Sequence, residues 1–157
     1  MRIISGKFKG KKIIHPLDKN TRPLKDLTKE SIFNLILHSK FFSLKFEKLN
    51  ILDLFAGSGS FGLECLSRNC SHVTFVENYK LALDILKKNI NSLNIKENFE
   101  IIEKDIFNNQ TFNNINKKFD LIFLDPPYKE EKIKEIFNII LDNKFLKKNS
   151  LIIMHRD

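Results

Sequence analysis

Residues 119–128 read FDLIFLDPPY. An apolar, strand-like run ends in an acid, two prolines and a tyrosine. The prolines remove two N–H donors and fix φ, so the turn is rigid and its carbonyls are held in place. The Asp125 carboxylate and the Pro126 carbonyl can then accept both hydrogens of one amino group. An exocyclic amine of a nucleobase is a poor nucleophile, because its lone pair is delocalised into the ring. Drawing both N–H bonds onto acceptors favours a tetrahedral nitrogen whose lone pair can meet an electrophilic methyl group. Tyr128 offers a flat face for the base, worth ~1–3 kcal/mol by stacking, and a base inside a helix has to be flipped out first. Asp125, Pro126, Pro127 and Tyr128 are therefore the candidate catalytic residues. The plainer alternative is a proline-rich turn with a packed tyrosine.

The second constellation is ILDLFAGSGSFGLE at 51–64. Gly57, Gly59 and Gly62 form a G-x-G-x-x-G between a strand and a helix, and Glu77 follows 20 residues after Gly57. That spacing matches a dinucleotide fingerprint, in which the acid holds ribose hydroxyls, so an NAD-dependent oxidoreductase is one reading. Asp53, four residues before the first glycine, argues for another. A carboxylate there repels a pyrophosphate, but suits the sulfonium and amino group of S-adenosylmethionine, which has no phosphate. Phe55 and Ala56 lengthen the loop and leave room for the methionine moiety. On this reading Gly57 and Gly59 let the backbone approach the cofactor and Glu77 accepts both ribose hydroxyls. Asp105 accepts from the adenine amine while Ile106 packs on the ring. Asp53, Phe55, Gly62 and Asn78 complete the expected cofactor contacts. No metal site is expected: His15, His38, His72 and His155 do not converge by spacing, and most of them are expected at surface or strand-edge positions.

These residues need a scaffold that brings them together. Strands are expected at 50–55, 72–77, 99–102, 119–124 and 150–154, and helices at 26–40, 60–69, 79–93 and 130–142. Strands that are apolar almost throughout, separated by helices, imply an α/β fold with a mostly parallel sheet covered on both faces. Right-handed crossovers then bring every strand's C-terminal end to one edge, where ligands of open α/β sheets bind. Residues 1–16 carry short apolar pairs around Gly6 and Gly10, which suggests a small β-hairpin.

The chain has 157 residues and a net charge of +8. Residues 1–25 hold eight basic side chains against one acid, Asp18, so +7 of that charge lies in this segment. A solvated face usually mixes signs, and a single-sign cluster is the footprint of phosphate contacts. Arg2, Lys7, Lys9, Lys11, Lys12 and Arg22 are the residues expected to face a polyanion. No apolar run approaches the roughly 18–20 residues of a membrane span, and the N-terminus has no apolar core of a secretory signal. Cys65 and Cys70 are too few for a disulfide framework; Cys65 is expected in the core. A cytoplasmic protein without membrane contact is the expectation.

GKFKGKKI, TRPLKDLTKESIFNLI, LDLFAGSGSFGLE, FVE and FDLIFLDPPY, in this order, resemble the bacterial 16S rRNA (guanine-966-N2) methyltransferases. The resemblance runs from Arg2 to about Arg156. It implies a Rossmann-like class I methyltransferase that uses S-adenosylmethionine to methylate a guanine N2 amine of the small ribosomal subunit. A monomer is expected. The family's cofactor loop falls on Asp53, Gly57, Gly59 and Gly62, its ribose-binding acid on Glu77, its adenine-contacting acid on Asp105, and its catalytic tetrapeptide on Asp125 to Tyr128. The family's R-P-T segment is Arg22-Pro23-Leu24 here, without the threonine. Residues 1–25 are expected to form the RNA-facing extension and 26–157 the methyltransferase domain. Family members usually continue past the fifth strand into an antiparallel hairpin, so that hairpin is expected to be missing from this chain. A DNA or RNA adenine-N6 methyltransferase shares the D-P-P-Y chemistry, although a DNA enzyme normally needs a target-recognition domain for which the chain has no room. A catalytically silent RNA-binding module is the remaining alternative.

Overall fold

The computed structural model describes residues 1–18, 23–38 and 45–156. In chain order these form α1 (Asp26–His38), a single 3₁₀ turn (Phe46–Lys48), β1 (Asn50–Leu54), α2 (Ser60–Ser67), β2 (His72–Val76), α3 (Lys80–Ser92), β3 (Phe99–Ile102), β4 (Phe119–Leu124), α4 (Ile133–Asp142) and β5 (Leu146–Met154). The five strands make one sheet in the order β3-β2-β1-β4-β5, and every neighbouring pair is parallel. Among the described residues, no helix is long and apolar enough to cross a membrane.

The period of two along each strand divides the core. Ile51, Val73, Phe75, Leu121 and Phe123 face one side, where they meet Phe33 and Ile36 of α1, Phe61 and Leu66 of α2, and Leu86 and Ile90 of α3. Leu52, Leu54, Val76, Ile122 and Leu124 face the other side, against Ile136 and Ile140 of α4 and the 106–115 segment. Both faces are covered, which is why the strands read as apolar throughout. On the first face a ring stack runs from Phe33 through Phe61 to Phe123, with centroids 5.2 and 3.9 Å apart.

Strand β5 begins four residues earlier than its apolar pattern suggests. A register shift lies between Phe119 and Leu121, and Ser150 Oγ bridges it by donating to the Phe119 carbonyl at 2.7 Å. The bulged Lys147–Asn149 run is polar, so it carries no strand signal.

The N-terminal segment doubles back at an antiparallel bridge, Arg2 with Lys12, where the Ile3, Gly10 and Ile13 N–H groups donate to the Lys11, Ile3 and Met1 carbonyls at 2.9, 2.9 and 3.1 Å. Buried side chains anchor it to the helices. Glu64 of α2 accepts the Ile4 and Ser5 N–H groups at 2.7 and 2.9 Å. Asn89 of α3 both accepts from Ile14 N–H and donates to its carbonyl, each at 2.9 Å. Ile3 and Ile13 are buried beneath.

Candidate active site

The strand order reverses between β1 and β4, and ligands of open α/β sheets bind in the crevice at that switch point. Leu54 pairs with Leu124, so the two chains leave the sheet side by side, one into Phe55–Gly59 and the other into Asp125–Tyr128. A cleft of ≈ 880 Å³ opens above them, within the range of small-molecule sites. Phe55, Gly57, Glu77, Asn78, Asp105, Ile106 and all four D-P-P-Y residues line it.

The glycine turn departs from right-handed backbone at Phe55, Gly57 and Gly59, with φ of 61°, 58° and 82°. Gly59 sits at the N-cap of α2 in the left-handed region, where a glycine pays no Cβ penalty. Glu77 braces this turn. Its Oε2 accepts the Gly57 N–H at 2.7 Å, and its Oε1 accepts the Asn78 and Tyr79 N–H groups at 2.9 and 2.8 Å. Asp105 Oδ1 accepts the Phe107 N–H at 2.9 Å, which fixes the turn after β3 and buries Ile106 against the cleft.

Three expected cofactor contacts differ in placement. Asp53 is buried, and its Oδ2 accepts the Gly62 N–H at 3.0 Å. It supports the first turn of α2 from beneath and does not line the cleft. The cause is the period of two: Asp53 faces the α2 side of the sheet. Burial, partly offset by the Gly62 N–H, pushes its carboxyl well above the ordinary value, and the nearby Asp125 and Glu77 charges add to this. Gly62 is a packing residue, since a Cβ there would come within 2.2 Å of the Phe75 ring. Gly59 likewise lies against Leu86.

On the opposite lip, Pro126 is buried and Tyr128 is 71% exposed. The Pro127 carbonyl accepts the Glu130 N–H at 2.8 Å and closes the turn. One participant was not legible in the motif: His155, just past β5, has its Nδ1 2.9 Å from Asp125 Oδ1 and lines the cleft. As a lone histidine behind a strand, its only signal is parallel register with β4. Arg156, Leu24 and Phe107 also line the cleft.

Of the expected RNA-facing residues, Arg2, Lys7, Lys9, Lys11 and Lys12 are exposed on the N-terminal segment. Arg2 Nε lies 3.5 Å from Asp26 Oδ2, and Lys7 Nζ stands 5.0 Å over the Phe8 ring. Arg22 lies outside the described residues. No group of three or more His, Cys, Asp or Glu among the described residues is arranged to hold a metal ion.

The donor set bears on which cofactor fits. In a dinucleotide fold the N–H groups of the glycine turn receive the pyrophosphate. Here the Gly57 N–H is engaged by Glu77, so a phosphate at this turn would face a carboxylate. A phosphate-free, cationic cofactor meets no such repulsion.

A parallel sheet that receives its ligand where β1 and β4 part, with a D-P-P-Y turn on one lip, is the architecture of a Rossmann-like class I methyltransferase. The profile of the family described as "Conserved hypothetical protein 95" matches residues 1–157, and the chain belongs to that family. It is 36% identical to "Putative rRNA methyltransferase YlbH" of Bacillus subtilis, over all of this chain and 83% of that one. It is also 36% identical to "Ribosomal RNA small subunit methyltransferase D" of Buchnera aphidicola, over all of this chain and 76% of that one. Among solved structures, "Putative methyltransferase yhhF from Escherichia coli" superposes with a TM-score of 0.78 at 26% identity, covering 98% of this chain and 78% of that one.

Proposed function

We propose that the protein methylates the exocyclic N2 amine of a guanine in the 16S ribosomal RNA of the small subunit, using S-adenosylmethionine. The observation that carries the reading is the shared cleft: the braced glycine turn and Glu77 form one wall, and Asp125 to Tyr128 form the opposite lip. The relatives named for small-subunit rRNA methylation supply the substrate class.

Glu77, Asp105, Ile106, Phe55, Asn78 and Gly57 are the residues that would hold the cofactor. S-adenosylmethionine, when bound, supplies an electrophilic methyl group on a sulfonium. Asp125 and the Pro126 carbonyl accept the two hydrogens of the guanine amine and so localise its lone pair. The exposed Tyr128 ring stacks on a base that has left its helix. The methylated nitrogen then loses its proton readily, so no strong base is required. Rate enhancement comes from alignment and preorganised acceptors. Residues 1–25 serve as the RNA-facing arm of a methyltransferase domain spanning 26–157, and a cytoplasmic site of action goes with such a substrate.

The test is transfer of label from methyl-labelled S-adenosylmethionine into small-subunit RNA. Asp125→Ala is expected to slow transfer at least ~100-fold. A variant as fast as the parent overturns the D-P-P-Y chemistry, and tight binding of NAD without binding of S-adenosylmethionine overturns the cofactor.

A further inference from the structure

His155 stands outside the motif, yet the sheet delivers it to the reacting lip. Leu124 pairs with Met154, and the His155 N–H continues the ladder by donating to the Leu124 carbonyl at 2.8 Å. Asp125 and His155 are thus the first residues beyond the ends of two adjacent parallel strands, and their side chains meet over the cleft. The Nδ1 to Oδ1 distance is 2.9 Å, and the two side chains are only 16% and 25% exposed.

An ionised carboxylate accepts hydrogen bonds and donates none, so the imidazole nitrogen facing it carries the hydrogen. The last torsion of an aspartate is broad and roughly two-fold. Without a fixed partner, the plane of the carboxylate wanders. A partly buried donor tied to β4 by its own backbone bond selects one orientation. Orientation is what the proposed chemistry demands of Asp125, because an acceptor must be held to within ~10–20° of its productive geometry.

We propose that His155 is a positioning residue: its Nδ1–H holds the Asp125 carboxylate at the angle that receives the guanine amine. This rests on the reading of Asp125 given above. His155 touches neither substrate nor cofactor in this role.

The test compares His155→Ala and His155→Asn with the parent, using small ribosomal subunits and S-adenosylmethionine. The asparagine amide can offer an N–H near the former Nδ1. In the alanine variant kcat is expected to fall about 10- to 100-fold, while the Kd for S-adenosylmethionine and the melting temperature stay near the parent's. The asparagine variant is expected to recover most of the lost kcat. An alanine variant with the parent's kcat overturns the proposal, and so does an asparagine variant as slow as alanine. A readout independent of turnover is ¹⁵N NMR of the imidazole. The parent is expected to show Nδ1 protonated and hydrogen-bonded, and Asp125→Ala to abolish that signature. A His155 spectrum indifferent to Asp125→Ala also overturns it. A parent protein that transfers no label to RNA refutes the proposed function instead, while the spectrum still decides whether His155 holds Asp125.

Discussion

Glu64→Ala tests how the basic arm is fastened to the catalytic domain. Glu64 has no exposed side-chain surface, and neither has Lys29, whose Nζ lies 3.8 Å from Glu64 Oε2. Lys29 Nζ also donates to the Arg2 carbonyl at 2.8 Å and to Ser60 Oγ at 3.2 Å. Burial lowers the Lys29 pKa, against the pull of Glu64. Glu64 Oε1 further accepts Arg68 Nε–H at 2.9 Å. Truncating Glu64 therefore strands a buried cation and leaves the Ile4 and Ser5 N–H groups without their acceptor. Removing one partner of a buried pair costs about 3–5 kcal/mol. Orphaned buried donors cost ~1–3 kcal/mol each, an amount that overlaps with the first because the sites share one carboxylate. For a chain of this size each kcal/mol moves Tm by about 2–4 °C, so a drop of about 6–20 °C is expected. Urea unfolding measures the stability, and amide hydrogen exchange at Ile4 and Ser5 measures the release of the arm. A loss below ~1 kcal/mol, with unchanged exchange at both amides, would mean that Glu64 does not fasten the arm, since exposed ion pairs are worth that little.

Two further outcomes are expected. The folded-state pKa of Asp53 is raised above 3.8, so the native state holds the proton more tightly than the unfolded state, and stability falls as pH rises from 3.8 through the raised value. Asp53→Asn keeps an acceptor for the Gly62 N–H without the charge. Its Tm relative to the parent should therefore climb with pH over that window, and thermal melts at a series of pH values that show a relative decline contradict the assignment. Replacing Lys9, Lys11 and Lys12 by alanine should weaken RNA binding and flatten its salt dependence by roughly 0.7–0.9 for each phosphate no longer neutralised; titrations across a salt series that give the parent's slope exclude these residues as the RNA arm.

The central sheet is legible in the sequence because both faces of β1 and β4 are covered, which leaves near-continuous apolar runs. The start of β5 is hidden because its bulge exposes the polar Lys148 and Asn149. The site divides along the same line between local and tertiary information. Glu77, Asp105 and Asp125 can be assigned to one rim because each follows a strand end. The placement of Asp53 depends on which face of β1 it occupies, and spacing from the glycines does not reveal that. His155 is invisible to any local motif, since only the pairing of β4 with β5 brings it to Asp125. Lys29 lies on the buried face of α1 and Glu64 in α2, which is buried at every residue, and their role requires knowing that the N-terminal segment crosses α2.

The claim on which the rest depends is that a guanine amine of small-subunit RNA is methylated on the Asp125–Tyr128 lip. Mass mapping of nucleosides from the 16S rRNA of cells with and without the gene tests it directly. One N2-methylguanosine is expected to disappear with the gene and to return with the parent sequence but not with Asp125→Ala. An unchanged set of modified nucleosides, or restoration by Asp125→Ala, would contradict it.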